Sequence, residues 1–217
     1  MLQLFAHPFS SYCMKVLIPM WADGTPFAYR ILAEQHPEHM DQLKALWPFG
    51  QFPVLLDDDR PIVESTVIIE HLAAHHPGPN RWIPDGEEGR RVRFLDRFFD
   101  SYVMNQMTVP VFNAIRPEDQ RDPYGEVQAR ARLTTAYDWL EANLPDGEWA
   151  VGDSFTLADC AAAPSLFYAD WVEEIGPARP RLAVYRARLL AYPVVARAID
   201  EARPYRAFFP LSAPDRD

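Results

Sequence analysis

Cysteine is scarce in this chain of 217 residues, present only as Cys13 and Cys160. Two thiols are too few for the disulfide scaffold of a small secreted domain, and their spacing is not that of a metal site. Reduced thiols in a cytoplasmic protein are the expectation. Positive charge is also short: 21 Lys and Arg face 31 Asp and Glu, a formal net charge of -10. A nucleic-acid binder presents a basic face, so no nucleic-acid partner is expected. An anionic ligand would need local positive potential against that field. Long apolar runs are missing too. None approaches the roughly 18 to 20 residues that span a bilayer. The opening MLQLFAHPFSSYC lacks the basic stretch and apolar run of a signal peptide. Neither a membrane segment nor a targeting segment is expected.

What is present points to two packed parts. Hydrophobic residues make up 48% and aromatics 13%, and this length suits two domains sharing an interface. LQLFA at 2–6 alternates and predicts a short strand. HPFSS then turns, and Ser10 or Ser11 can cap a helix over 12–22, which Pro19 should bend or shorten. A second strand is predicted over 27–32 and a polar helix over 37–45. Strands over 53–57 and 61–63 flank an acidic turn, Asp57-Asp58-Asp59-Arg60, and a helix follows over 66–75. A β-α-β start requires a crossover and a parallel pair. The order β-α-β-α-β-β-α therefore predicts a mixed α/β sheet domain over 1–76. Pro77-Gly78-Pro79-Asn80 and Pro84-Asp85-Gly86 mark a linker over 77–88. From 89 to 217 the period is helical. A long helix over 89–115, bent or broken at Pro110, precedes others over 127–143, 156–171, 180–191 and 193–202. The tail over 204–217 holds three prolines and should wrap the surface.

Six histidines occur, at His7, His36, His39, His71, His75 and His76. His71 and His75 share i, i+4 spacing on one predicted helix. A metal there needs an additional ligand that spacing does not name, so no metal is expected.

Four motifs then stand in order. Ser10-Ser11-Tyr12-Cys13-Met14-Lys15-Val16 follows the first strand. Pro48-Phe49-Gly50-Gln51-Phe52-Pro53-Val54-Leu55 precedes and enters the third. Glu64-Ser65-Thr66-Val67-Ile68-Ile69 opens the third helix, and Gly152-Asp153-Ser154-Phe155-Thr156-Leu157-Ala158-Asp159 opens a later one. The set, spanning nearly the whole chain, resembles the cytosolic glutathione transferases. The first motif is similar to the serine-type turn of the theta, delta and zeta classes. Departures are Trp47 where that family has Asn, Phe52 where it has Val, and Pro19 inside helix one. The resemblance implies a thioredoxin-like domain with a four-stranded sheet, an all-helical second domain and a homodimer. It also implies glutathione as cosubstrate and a small electrophilic molecule as second substrate.

It further implies residue roles. A free thiol has a pKa near 8.5, so only a few per cent is thiolate at neutral pH. A serine hydroxyl at a helix mouth can donate a hydrogen bond to sulfur and, with the helix-end amides, favour the anion. The family pattern puts that hydroxyl at Ser10, with Ser11 the alternative. A plain helix cap would satisfy both serines equally. Cys13 could instead be a nucleophile, although one turn into the helix a buried thiol is the simpler expectation. Ser65, as helix cap, would offer its hydroxyl and amides to the γ-glutamyl carboxylate, and Glu64 would pair with the ammonium. Phe52, before a cis Pro53, would pair with the cysteinyl backbone. Gln51 would reach the glycyl end, with His39 and Lys44 as weaker candidates. Phe9, Tyr12, Tyr102, Met104, Asn105, Met107, Phe112 and Tyr168 could line the second-substrate pocket. Thr156 and Asp159 have capping-box spacing and a structural task.

The activity implied is glutathione conjugation to a small, partly apolar electrophile. One alternative is glutathione-dependent cis-trans isomerisation of the maleylacetoacetate isomerase type, which the paired serines favour. Tyr12-Cys13-Met14 nevertheless stands where that class has Cys-Ser-Trp. Another alternative is a non-catalytic binding module on the same fold.

Overall fold

Leu2–Ala6 forms β1 and sits at the centre of the sheet, so its alternation is shallow and most of its residues are buried. The computed structural model describes residues 1–216; Asp217, the end of the predicted tail, lies outside the described residues. β1 leads into α1 (Ser11–Ala22), which crosses over to β2 (Ala28–Ile31) parallel to β1. After α2 (Pro37–Leu46), β3 (Val54–Asp57) runs antiparallel to β1 and turns into β4 (Arg60–Val63). α3 (Ser65–His75) completes the unit. The strand order is β2-β1-β3-β4, the mixed four-stranded sheet of a thioredoxin-like domain.

Pro19 does not shorten α1, which continues to Ala22. A proline removes one helical hydrogen bond and crowds the preceding turn. Here Cys13 through Met20 are all buried, so packing on every side outweighs that local cost.

The helical part begins at α4 (Gly86–Phe98). It continues through a π-helical turn, Phe99–Met104, into α5 (Asn105–Ala114). The predicted interruption at Pro110 is therefore misplaced. Pro110 sits inside α5, and the irregularity lies before it, where the Asn105 N–H reaches back to Asp100 O. A uniform 3.6 period cannot anticipate a widened turn. α6 (Pro123–Asn143), α7 (Leu157–Val172), α8 (Pro180–Ala191) and α9 (Pro193–Ala202) follow. Every residue of α7 is buried, which makes it the axis of the domain. No helix among the described residues is long and apolar enough to cross a membrane.

A buried ionic cluster joins the two parts. Lys15 of α1, 1% exposed, places Nζ 2.6 Å from Asp96 Oδ1 and 2.8 Å from Asp100 Oδ2, and donates to Thr66 Oγ1 at 3.0 Å. Thr66 in turn donates to Asp96 Oδ2 at 2.9 Å. A buried lysine is tolerated only when its ammonium is paired this closely.

Candidate active site

The turn between β1 and α1 opens on a cleft of about 870 Å³. Ser10 is the N-cap of α1, in extended backbone, and its Oγ accepts from the Cys13 N–H at 3.4 Å. That bond is long and uses only the oxygen. The Ser10 side chain also hydrogen-bonds the Cys13 thiol, so among the described residues it engages Cys13 alone while lining the cleft. Ser11, the first residue of α1, faces the same cleft. Cys13 is fully buried, its Sγ accepting from the His7 N–H at 3.4 Å, and burial pushes the thiol up to about 12. A thiol that stays protonated is core packing rather than a nucleophile.

At the entry to β3, exposed Gln51 and half-buried Phe52 line the cleft beside buried Pro53, and the Phe52–Pro53 bond is cis. At the start of α3 one expectation fails. Glu64, not Ser65, is the N-cap, with φ 70° and ψ 121°, and Ser65 is the first helical residue. The left-handed turn at Glu64 brings the chain into the helix one step early. Both residues face the cleft, Ser65 buried and Glu64 exposed. Glu64 makes no side-chain cap bond. The mouths of α1 and α3 thus meet at one cleft, and their free amides supply positive potential within a chain of net charge -10.

The helical part forms the opposite wall. Phe9, Tyr12, Asn105 and Phe112 line the cleft, with Met107 and Tyr168 beside them. The Tyr168 hydroxyl donates to Phe9 O at 2.9 Å, and the two rings meet edge to face. The Tyr12 hydroxyl donates to Asn105 Oδ1 at 3.4 Å. Burial and the nearby Asp100 push the Tyr12 phenol up, so it stays a neutral donor.

Tyr102 does not belong to this wall. It is 58% exposed and stacks on Phe98 at 5.2 Å, because the widened turn at 99–104 carries it to another face. Met104 is buried in the core. His39 is buried with Nδ1 2.8 Å from Ile31 O, and neither it nor Lys44 lines the cleft.

Sequence reasoning missed several lining residues: His7, Arg97, Asp100, Thr108 and the tail residues Phe208, Phe209 and Pro210. The tail therefore builds part of the wall, with Phe209 buried, rather than only wrapping the surface. Burial pushes His7 down, which leaves Arg97 as the cationic side chain on the described lining. One signal was available for Asp100. Lys15, inside the first motif and on an apolar helix, demanded an acidic partner from elsewhere in the chain.

Comparison with known proteins adds a second line of observation. Residues 4–80 match the family model of the glutathione S-transferase N-terminal domain, and residues 119–204 match that of the C-terminal domain. The glutathione S-transferase-like protein LUC7 of Fusarium sp. is 34% identical over 132 residues, which cover 59% of this chain and 59% of that protein. A probable maleylacetoacetate isomerase of Vibrio cholerae is 27% identical, covering 82% of this chain and 84% of the relative. Among solved structures, a glutathione S-transferase of Methylobacterium radiotolerans in complex with glutathione sulfonate is 26% identical. Its TM-score is 0.76, with 91% of this chain and 94% of that one covered.

Proposed function

This chain belongs to the glutathione S-transferase family, and on that premise we propose that Ser10 holds the thiol of bound glutathione in its anionic form for attack on a small, partly apolar electrophile. One observation carries the proposal. The Ser10 hydroxyl sits at the mouth of α1, faces the cleft and, among the described residues, engages only Cys13 within the protein. A charge-assisted hydrogen bond contributes about 1.5 to 3 kcal/mol, or roughly one to two pKa units. From 8.5, that lowers the thiol far enough to be substantially ionised at neutral pH. The thiolate then forms a sulfur–carbon bond, displacing a leaving group or adding to an activated double bond.

Glutathione is the cosubstrate in this proposal. Glu64 pairs with its ammonium, Ser65 and the first amides of α3 hold the γ-glutamyl carboxylate, and Phe52 pairs with the cysteinyl backbone beside Pro53. Gln51 reaches the glycyl end. Arg97 provides a charged group near the cleft that the motifs did not predict. The electrophile packs against Phe9, Tyr12, Asn105 and Phe112. We further propose that the thioredoxin-like domain spans 1–76, the linker 77–88 and the helical domain 89–217. The protein is proposed to be a cytoplasmic homodimer with a detoxifying role. Exposed Val67, Phe94 and Tyr102, with Phe94 edge to face and Phe98 tilted against Trp139, supply an apolar face suited to a second copy.

Ser10→Ala tests the central step. At neutral pH kcat/KM should fall by about 10- to 100-fold, and the pH at which activity rises should move upward by one to two units. The thiolate absorbance of bound glutathione, titrated against pH, should move with it. If Ser10→Ala is active and Ser11→Ala is not, the role passes to Ser11. A second activity has support of its own in the paired serines and the isomerase relative. Isomerisation of maleylacetone measured beside conjugation of chlorodinitrobenzene distinguishes the two. Failure to bind glutathione in calorimetric titration would leave only the binding module.

A further inference from the structure

A second cluster lies at the other end of α3. Asp57 closes β3, His71 is on α3, and His76 is the residue that ends that helix. Nε2 of His71 lies 2.8 Å from Asp57 Oδ2, and Nε2 of His76 lies 2.7 Å from the same oxygen. Two imidazoles thus present the same ring nitrogen to one point, where a carboxylate oxygen also sits. All three donor atoms fall within 4.8 Å of one another. The geometry points to a binding site for a single zinc-class divalent ion, held by Asp57, His71 and His76.

The donor set fits that chemistry. Zinc takes imidazole nitrogen at about 2.0 to 2.1 Å and carboxylate oxygen at about 2.0 to 2.2 Å, in a tetrahedral shell. Ligand atoms in such a shell stand about 3.4 Å apart. The two separations from Asp57 Oδ2 to the imidazole nitrogens need to widen by only about 0.6 to 0.7 Å to admit the ion. Two neutral imidazoles and one carboxylate favour zinc, cobalt or nickel over magnesium or calcium, which prefer all-oxygen shells.

The surroundings agree. Asp57 is fixed by strand pairing on both sides, to Leu2 of β1 and Arg60 of β4. The His75 ring lies 4.6 Å from that of His71 and restrains it. Side-chain exposure rises from 9% at His71 to 19% at Asp57 and 35% at His76, so the cluster opens on one side, where water can complete the shell. Asp58 and Asp59 follow in the turn; Asp58 pairs with the N-terminal ammonium, and Asp59 adds negative potential that attracts a cation. The cluster His36, Glu38 and His39 is built differently. His36 and Glu38 are about half exposed, and Nδ1 of His39 is taken by Ile31 O. It therefore serves as the internal control.

Along α3, His71 lies about 9 Å and His76 about 16 Å from Ser65, and none of the three ligands lines the cleft, so the proposed site is distinct from it. A bound ion would tie the end of α3 to the β3–β4 hairpin and stabilise the helix whose other end lines the cleft.

The test uses the untagged full chain, stripped of metal with a chelator and free of glutathione. Zinc titrated calorimetrically should bind at one ion per chain. Cobalt should give the visible absorption of a four-coordinate ion. His76→Ala and Asp57→Asn should each weaken zinc affinity by at least about tenfold, while His36→Ala should leave it unchanged. Zinc at a hundredfold excess over its Kd should raise Tm by about 5 to 10 °C, an increase abolished in His76→Ala. Far-ultraviolet circular dichroism verifies that each variant is folded. Affinity unchanged in a folded His76→Ala, affinity lost in His36→Ala, or no saturable zinc binding would each overturn the proposal. The cluster would then be a carboxylate accepting two hydrogen bonds.

Discussion

Among the described residues, three helices begin with a side-chain oxygen that accepts from the backbone, and the starts of two of them, α1 and α7, are finished to different degrees. At α7, Asp159 is fully buried and saturated. It accepts from the Ala150 N–H at 2.9 Å, the Thr156 N–H at 2.9 Å, the Thr156 hydroxyl at 3.0 Å and the Tyr185 hydroxyl at 2.7 Å. At α1, Ser10 is half-buried, accepts one bond at 3.4 Å and faces a cleft. A cap whose polar capacity is used up inside the protein is part of the architecture. A cap with capacity left over, at a surface opening, is available to chemistry. Both signals look alike in sequence, since a small hydroxyl residue, Ser10 or Thr156, stands before an apolar run.

The largest effect expected from this contrast is on stability at α7. Asp159→Ala strands two N–H groups and two hydroxyls in the interior, each costing about 1 to 3 kcal/mol when unpaired. With partial relief by entering water, the loss should be about 4 kcal/mol, measured as the shift of the urea unfolding midpoint. Activity per folded molecule should be unchanged. A loss below about 1 kcal/mol would mean that the saturated cap contributes no more than an ordinary surface contact.

Much of this was legible before the structure, and the reasons differ by element. The parallel pair and the hairpin of the mixed sheet followed from the crossover rule and from the acidic turn at Asp57-Asp58-Asp59, because strand pairing has few solutions in so short a segment. The capping box at Thr156 and Asp159 was readable because its spacing is local. What failed was non-local or irregular. The widened turn at 99–104 has no signature in a regular period, and it carried Tyr102 off the predicted wall. Glu64 was read as a flank of the helix, since a non-glycine residue is not expected at φ 70°. Arg97 and the tail residues Phe208 and Phe209 reach the cleft only through tertiary folding. The convergence of His71 and His76 on Asp57 was not legible because helical spacing pairs His71 with His75, whereas Asp57 is on a strand. The missing ligand lay on another element.

Glu64 sharpens the comparison by a smaller amount. A non-glycine residue in this left-handed conformation costs about 1 to 3 kcal/mol, and such strain persists where the surroundings impose it. Glu64→Gly removes that strain but adds unfolded-chain entropy worth about 0.5 to 1 kcal/mol. The net expectation is a gain of about 1 kcal/mol in stability. Glutathione affinity should fall by about tenfold or more if the carboxylate pairs with the ammonium as proposed. Opposite movements of Tm and affinity would mark the start of α3 as strained for binding. A fall in both would mean the glutamate supports the fold itself.

The smallest effect is the most discriminating, and it returns to Ser10. If Ser10 were only a cap, Ser10→Ala should lower stability by about 1 kcal/mol, and Ser10→Asp, an equally good cap, should restore it. The bond to the Cys13 N–H is long, and α1 is buried along most of its length, so packing rather than capping holds the helix. Ser10→Ala should therefore lower stability by only about 0.5 kcal/mol while impairing turnover severely. Ser10→Asp should keep the fold but not restore activity, since an ionised carboxylate has no hydrogen to donate and repels a neighbouring thiolate. Restored turnover in Ser10→Asp would show that the position needs a cap and not a donor, and the chemical role would have to be sought at Ser11.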